Sequence, residues 1–285
     1  MSQGRPSHTP ARPPARAVLR PRPCDPTRWS HLVLEPARGL RSTGPPHVRR
    51  PPRPRPGHHR PGPRTDLRPD AEPLLPGVRL VEHGALDEDD FTAGAEAATR
   101  RELAPEPGEA PLVSRLRDGN AVVLGHGAVV PRMERAVARA EAEGAVATLL
   151  LCTGHFPAIQ GSRPVLFAEP LVQRAVAAIV GDAPVGLVCP RPDQVADVSG
   201  RWAELLPGHV TAAGANPYAP ADEAHRQIAE AARELADGGA AWLVLDCIGY
   251  TEDMRRTAAR AAGRPVLLAR SLAVRAAAEV VAAHP

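Results

Sequence analysis

The sequence contains no lysine, no long apolar run and no closely spaced pair of cysteines, and each absence removes a class of function. Without lysine the chain has no Schiff-base residue, no anchor for pyridoxal phosphate and no P-loop lysine. No apolar stretch reaches the roughly 18 residues that mark a membrane-spanning helix, so no membrane partner is expected. The N-terminus also lacks the apolar segment of a secretory signal.

The four cysteines are Cys24, Cys152, Cys189 and Cys247, and none of them forms a C-x-x-C pair. This spacing argues against a zinc site and against a disulfide framework, so we expect no metal. A cytoplasmic protein with reduced thiols is therefore predicted.

The N-terminal part differs sharply in composition from the rest of the chain. Residues 1–64 hold 14 arginines against two acidic residues, together with 16 of the 34 prolines. A segment with so little apolar surface cannot offset the entropy cost of ordering, so we predict that residues 1–62 are disordered. Such a tail could bind RNA or anionic lipid; the simpler interpretation is that it is not a working part of the protein. No nucleic-acid partner is expected for the folded part.

Beyond about residue 74, short apolar runs alternate with helical patterns. The strands expected are 78–83, 121–125, 147–152, 164–168, 185–189, 210–213, 241–246 and 266–269. The helices expected are 89–102, 131–143, 171–180, 193–205, 221–237 and 272–282. Continuous apolar strands separated by helices predict an α/β fold whose parallel strands are covered on both faces.

An internal repeat divides this region into two related halves. Residues 163–175 and 264–276 are identical at eight of 13 positions. Upstream of each repeat an apolar run ends in a cysteine and a glycine turn, at Cys152 and at Cys247. We therefore predict two pseudo-symmetric, doubly wound parallel-sheet halves, 63–181 and 182–270. Residues 271–285 could pack back on the first half.

The matched cysteines predict a shared site. Ligands of open α/β sheets bind beyond the carboxyl ends of the strands, where both Cys152 and Cys247 lie. Two thiols on opposite walls of one cleft suit the removal and return of a proton at carbon. The alternative is that both are ordinary buried cysteines; their matched positions favour the shared site. Cys189 has no counterpart in the repeat and is predicted to be a core residue.

Several segments resemble the AroM family, within the aspartate/glutamate/hydantoin racemase superfamily. These segments are residues 73–87, 104–108, 116–120 and 244–249, and the resemblance covers residues 63–283. It implies a two-half α/β fold and proton transfer by two thiols, with no cofactor, on a small carboxylate. Other branches of that superfamily imply alternatives: decarboxylation by a single thiol, or isomerisation through covalent attack by cysteine. A non-enzymatic metabolite-binding regulator linked to aromatic amino acid metabolism is a further alternative, and a homodimer is left open.

The resemblance and the repeat also name candidate substrate-binding residues. They are Arg64, Thr65, Thr153, Gly154, His155, Asn216, Tyr218, Ile248 and Gly249. A surface position is an equal alternative for His155. A plain turn without a role in binding is an equal alternative for Asn216 and Tyr218. Glu169 and Arg270 occupy matched repeat positions and predict either an ion pair between the halves or a substrate clamp. Asp246 should point away from the cleft and anchor the structure.

The start of the folded region departs from the family pattern. Pro63 to Asp66 fit the end of a loop that follows the first strand in AroM-like chains, but no matching strand precedes them. We hypothesise that residues up to about 62 are translated out of frame. The sheet would then have a gap where its first strand belongs.

Overall fold

The computed structural model describes residues 30–36, 67–86, 88–89, 94–107, 112–115 and 121–284. The strands are β1 (Ser30–Pro36), β2 (Val78–Gly84), β3 (Leu112–Arg115), β4 (Ala121–Leu124), β5 (Ala147–Leu150), β6 (Val165–Phe167), β7 (Val185–Cys189), β8 (Val210–Gly214), β9 (Trp242–Leu245) and β10 (Val266–Leu268). The helices are α1 (Arg68–Ala71), α2 (Glu96–Leu103), α3 (His126–Ala142), α4 (Ala168–Val180), α5 (Val195–Ala203), α6 (Ala221–Asp237), α7 (Glu252–Ala262) and α8 (Ala269–Ala282).

The sheet of the second half is parallel throughout, in the order β10-β9-β7-β8. Every residue of β7 is buried. Leu187 and Val244 face one core that α4, α5 and α8 also line, whereas Val188 and Leu245 face a second core against α6 and α7. Helices on both faces explain why these strands are apolar without alternation. The predicted α/β class is confirmed.

The sheet of the first half is mixed, in the order β2-β1-β5-β6. β5 and β6 are parallel, but β1 runs antiparallel to both β2 and β5. No gap is left where the first strand belongs, because Ser30–Pro36, inside the segment predicted to be disordered, forms a strand between β2 and β5. The rest of residues 1–62 lies outside the described residues.

Three further elements differ from the sequence predictions. A hairpin of β3 and β4 forms its own antiparallel pair, and β3 was not predicted. Helix α2 begins at Glu96, seven residues later than expected, and α3 begins at His126 with Pro131 inside the helix instead of at its start.

Helix α7 was missed altogether because its exposed face is rich in charged residues. Its local signals are nevertheless present. The Thr251 hydroxyl accepts a hydrogen bond from the N–H of Met254 at 3.2 Å, which caps the first turn. Gly263 ends the helix in the left-handed region, with φ of 59°.

The last helix connects the two halves. α8 follows β10 of the second sheet, yet it packs against α4 and β5 of the first half. The carboxyl ends of β5 and β9 lie at Leu150 and Leu245, and a cysteine follows two residues after each end.

Candidate active site

The first cysteine turn follows β5. The side chain of Cys152 is partly buried, and its Sγ accepts the backbone N–H of Gly154 at 3.1 Å. The turn is tight, since a Cβ on Gly154 would lie 3.3 Å from that sulfur. An N–H aimed at sulfur stabilises a thiolate more than a neutral thiol.

The second cysteine turn follows β9 and repeats the same hydrogen bond. The Sγ of Cys247, also partly buried, accepts the backbone N–H of Gly249 at 3.3 Å. Each strand therefore ends in a thiol that is bound by the N–H two residues later. The repeat seen in the sequence is a repeat of local geometry at the sulfur.

The structure brings these two turns together. The hydroxyl of Thr153 donates to the carbonyl oxygen of Asp246 at 3.4 Å, which joins the residue after Cys152 to the residue before Cys247. Charge on the Cys247 sulfur also raises the pKa of Cys152. The two thiols thus belong to one electrostatic site, as two-sided chemistry at a single carbon requires.

The thiol of Cys152 is held in its protonated form. Burial is the largest cause and raises the pKa of Cys152 well above its usual range. The Gly154 N–H opposes this, but negative charge on Cys247, Glu169 and Asp246 raises the pKa further. At neutral pH Cys152 is therefore suited to donate a proton.

Asp246 anchors the structure, as predicted, but its charge also reaches the cleft. The residue is only 6% exposed, and its Oδ2 accepts the indole N–H of Trp202 at 2.8 Å. Burial raises the pKa of Asp246 to about 6, while the Trp202 hydrogen bond opposes that rise. The carboxyl group therefore titrates near neutral pH.

The Asn216–Tyr218 loop reaches the second thiol. The hydroxyl of Tyr218 lies 3.7 Å from the Sγ of Cys247. The side-chain oxygen of Asn216 accepts the Tyr218 N–H at 2.9 Å, and the Asn216 N–H donates to Gln227 at 2.9 Å. Asn216 thus forms a turn, and that turn places Tyr218 beside a thiol; substrate binding by these two residues stays a prediction.

Sequence reasoning missed Tyr250, which binds the residue just before this loop. Tyr250 is fully buried, and its hydroxyl donates to the carbonyl oxygen of Ala215 at 2.6 Å. Burial raises the pKa of Tyr250, so it stays a neutral donor. Its position directly after the Cys247-Ile-Gly turn was the available signal.

The predicted ion pair between Glu169 and Arg270 does not form, because each has another partner. Arg270 is 1% exposed and binds Asp70 at 3.0 Å. Glu169 accepts from Arg201 at 3.1 Å and lies 3.2 Å from a ring nitrogen of His155. A bridge between the halves exists, but it joins Glu169 to Arg201 of α5.

The remaining predicted site residues divide by burial. The side chain of His155 is 82% exposed, whereas Ile248 packs in the core with its side chain and contributes only backbone to the turn. Cys189 is fully buried, as predicted for a core residue. Arg64 and Thr65 lie outside the described residues.

The part of the chain that the structure describes holds neither a metal-binding cluster nor a membrane-spanning helix. No group of three or more histidine, cysteine, aspartate or glutamate side chains there is arranged to hold a metal ion. No helix in that part of the chain is long and apolar enough to cross a membrane.

The family model of the AroM protein matches residues 61–281. This chain belongs to the AroM family. The match begins at residue 61, where the composition changes. No curated protein matches the sequence.

Solved structures of the aspartate/glutamate racemase type are similar at low identity. Arylmalonate decarboxylase is 18% identical with a TM-score of 0.43, over 64% of this chain and 92% of that one. The maleate cis-trans isomerase of Nocardia farcinica, solved with a covalently bound succinylcysteine intermediate, is 17% identical with a TM-score of 0.42, over 55% and 74% of the two chains.

Proposed function

We propose that this AroM-family protein is a cofactor-independent enzyme that moves a proton at the carbon next to the carboxylate of a small molecule. Cys152 and Cys247 would be its acid/base pair. The observation that carries the proposal is the meeting of two matched cysteine turns, each with an N–H on its sulfur, through the Thr153–Asp246 hydrogen bond.

The proposed reaction needs one thiolate and one thiol at the same time. The thiolate takes the proton from carbon, and the electron pair left behind is delocalised into the carboxylate. The thiol on the other wall then returns its own proton to the opposite face of that carbon. The second sulfur ends as the thiolate, so the pair works in either direction.

Electrostatics supports this division of protons. Two thiolates in one low-dielectric site repel each other, so the pair holds a single negative charge over a wide pH range. The raised pKa of Cys152 supports the retention of the proton on that sulfur.

The test is incorporation of solvent deuterium at the carbon next to the carboxylate, followed by NMR with the full-length chain. The substrates offered are amino acids, hydantoins, and aromatic and dicarboxylic acids. We expect exchange in one class, and a loss of about 10²–10⁴-fold in both Cys152→Ser and Cys247→Ser. Cys189→Ser is the matched control, because it removes a thiol that is buried in the core.

Other outcomes would point elsewhere. If only one of the two cleft substitutions abolished turnover, a single-thiol reaction such as decarboxylation would replace the two-thiol reaction. No exchange in any class, with cleft thiols no more reactive than free cysteine, would contradict an enzyme of this kind. A metabolite-binding protein would then be the better interpretation.

A further inference from the structure

The two cysteine turns share their hydrogen bond to sulfur but differ in the residue behind them. Arg270 and Glu169 stand at matched positions of the repeat, directly after the neighbouring strands. Behind the Cys247 turn is the buried guanidinium of Arg270; on the Cys152 side is the carboxylate of Glu169. At this repeat position the second half therefore has a positively charged hydrogen-bond donor, and the first half has a negatively charged acceptor.

Arg270 binds the carbonyl oxygens of the Cys247 turn. Its Nε donates to the carbonyl of Ile248 at 2.8 Å, and its Nη2 donates to that of Gly249 at 3.4 Å. Its Nη1 donates to Asp70, which also accepts the first N–H of α7, from Glu252, at 3.0 Å. The guanidinium is thus fixed on one side by a carboxylate and on the other by the turn.

The geometry of the peptide bond carries the effect through to the sulfur. The carbonyl of Ile248 and the N–H of Gly249 belong to one peptide unit, and the described residues contain no cis peptide bond. In a trans peptide these two groups point in opposite directions. Because Arg270 holds the carbonyl on one side, the N–H points to the other side, where the Sγ of Cys247 accepts it.

The charges around Cys247 give Arg270 a distinct role. Among the described residues, Cys152, Cys189 and Tyr250 interact electrostatically with this thiol, and the Tyr218 hydroxyl lies beside it. Arg270 brings a positive charge to the backbone of the turn that carries Cys247. Glu169 and Asp246 act in the opposite sense on Cys152.

We propose that Arg270, held by Asp70, is a positioning residue that aims the Ile248–Gly249 peptide at Cys247 and makes Cys247 the resting thiolate of the pair. Cys152 is then the resting proton donor. The assignment of acid and base rests on the function proposed above, but the effect of Arg270 on Cys247 does not require turnover.

The experiment is the pH profile of alkylation by iodoacetamide, without substrate, with each cysteine followed separately by peptide mass spectrometry. Arg270→Met keeps most of the volume and removes the donors. In Arg270→Met we expect Cys247 to be alkylated about tenfold more slowly at pH 7. The midpoint of its pH profile should rise by about one pH unit. Cys152 should change by less than about twofold. Arg270→Lys keeps the charge and should restore part of the rate.

Two variants guard against a general loss of structure. Arg132→Met is the control, because it removes another largely buried arginine that is paired with a carboxylate, that of Asp89. If Arg270→Met does not fold, the double variant Asp70→Asn/Arg270→Met replaces it. The double variant also removes the carboxylate that loses its partner in the single variant, and the same change in Cys247 alkylation is expected.

Unchanged alkylation of Cys247 in a folded variant, or an equal fall for Cys152 and Cys247, would overturn the proposal. The result is independent of the deuterium experiment. Slower alkylation of Cys247 without deuterium exchange in any substrate would support the role of Arg270 and contradict the proposed enzyme. Deuterium exchange with unchanged alkylation of Cys247 would support the enzyme and contradict the role of Arg270.

Discussion

The two cysteine turns show how a repeat can keep geometry and change chemistry. In both turns the N–H two residues after the cysteine binds the sulfur, at 3.1 Å in one and 3.3 Å in the other. Around Cys152 the neighbouring charges are negative, whereas the Cys247 turn is held by the cation of Arg270. Local backbone geometry places a thiol; its protonation is determined by residues from other elements.

We expect the strongest change at Asp246, one of the negative groups that act on Cys152. Its pKa in the folded protein, about 6, lies above the ordinary value of 3.8, so the folded state binds the proton more tightly. The stability from this group is full below pH 4 and is lost as the pH rises through about 6, amounting to about 3 kcal/mol. Asp246→Asn should therefore raise the free energy of unfolding at pH 7 relative to wild type by up to that amount.

Urea unfolding of both proteins at pH 4.5 and pH 7 measures this difference. The gain should be largest at pH 7 and small at pH 4.5, because the wild-type carboxyl is mostly protonated there. An equal gain in unfolding free energy at both pH values would mean that the charge of Asp246 is not the cause of the gain. Asp197→Asn, which removes a solvent-exposed carboxylate, is the control.

The next effect compares the glycines of the two turns. A Cβ on Gly249 would collide with the Tyr218 hydroxyl and lie 2.5 Å from the nearest ring carbon of Tyr218, whereas one on Gly154 would meet nothing closer than 3.3 Å. Gly249→Ala must displace the Tyr218 ring and should cost about 2 kcal/mol of unfolding free energy. Gly154→Ala should cost less than about 1 kcal/mol.

Unfolding in urea at a single pH compares these two alanine variants directly. If both variants lost the same unfolding free energy, the two turns would tolerate a Cβ equally well. The close packing of Tyr218 on Gly249 would then not matter for stability. Alkylation of Cys247 should also change in Gly249→Ala, since the Tyr218 hydroxyl lies beside that sulfur.

We expect the weakest change at Glu169, another negative group that acts on Cys152. Glu169→Gln removes one of the negative charges that raise the pKa of Cys152, although burial remains the largest cause. We expect Cys152 to be alkylated about threefold faster at pH 8, and Cys247 to be unaffected. Asp197→Asn is again the control, because Asp197 shares the Arg201 partner at the surface. A parallel change in both thiols would show that Glu169 acts on the whole cleft.

The strands of the second half were predictable because the signal is local. The apolar runs at β7, β8 and β9 lie within one or two residues of their predicted bounds, and helix α6 has the predicted bounds, Ala221–Asp237. In contrast, β1 was missed because three apolar residues, Leu32 to Leu34, within a segment rich in proline and arginine give no periodic pattern. It becomes a strand only by pairing with β2 and β5.

The site divides in the same way. The repeat in the sequence already placed Cys152 and Cys247 at the ends of matched strands, since strand ends and glycine turns depend on neighbouring residues. The sequence alone could not assign partners to Arg270 and Glu169, and the pairing of these two residues with each other was wrong. Arg270 binds Asp70, 200 residues away, and Glu169 binds Arg201 on another element. Contacts between residues so far apart in sequence exist only once the halves have packed, so packing determines which charged group lies beside each cysteine turn.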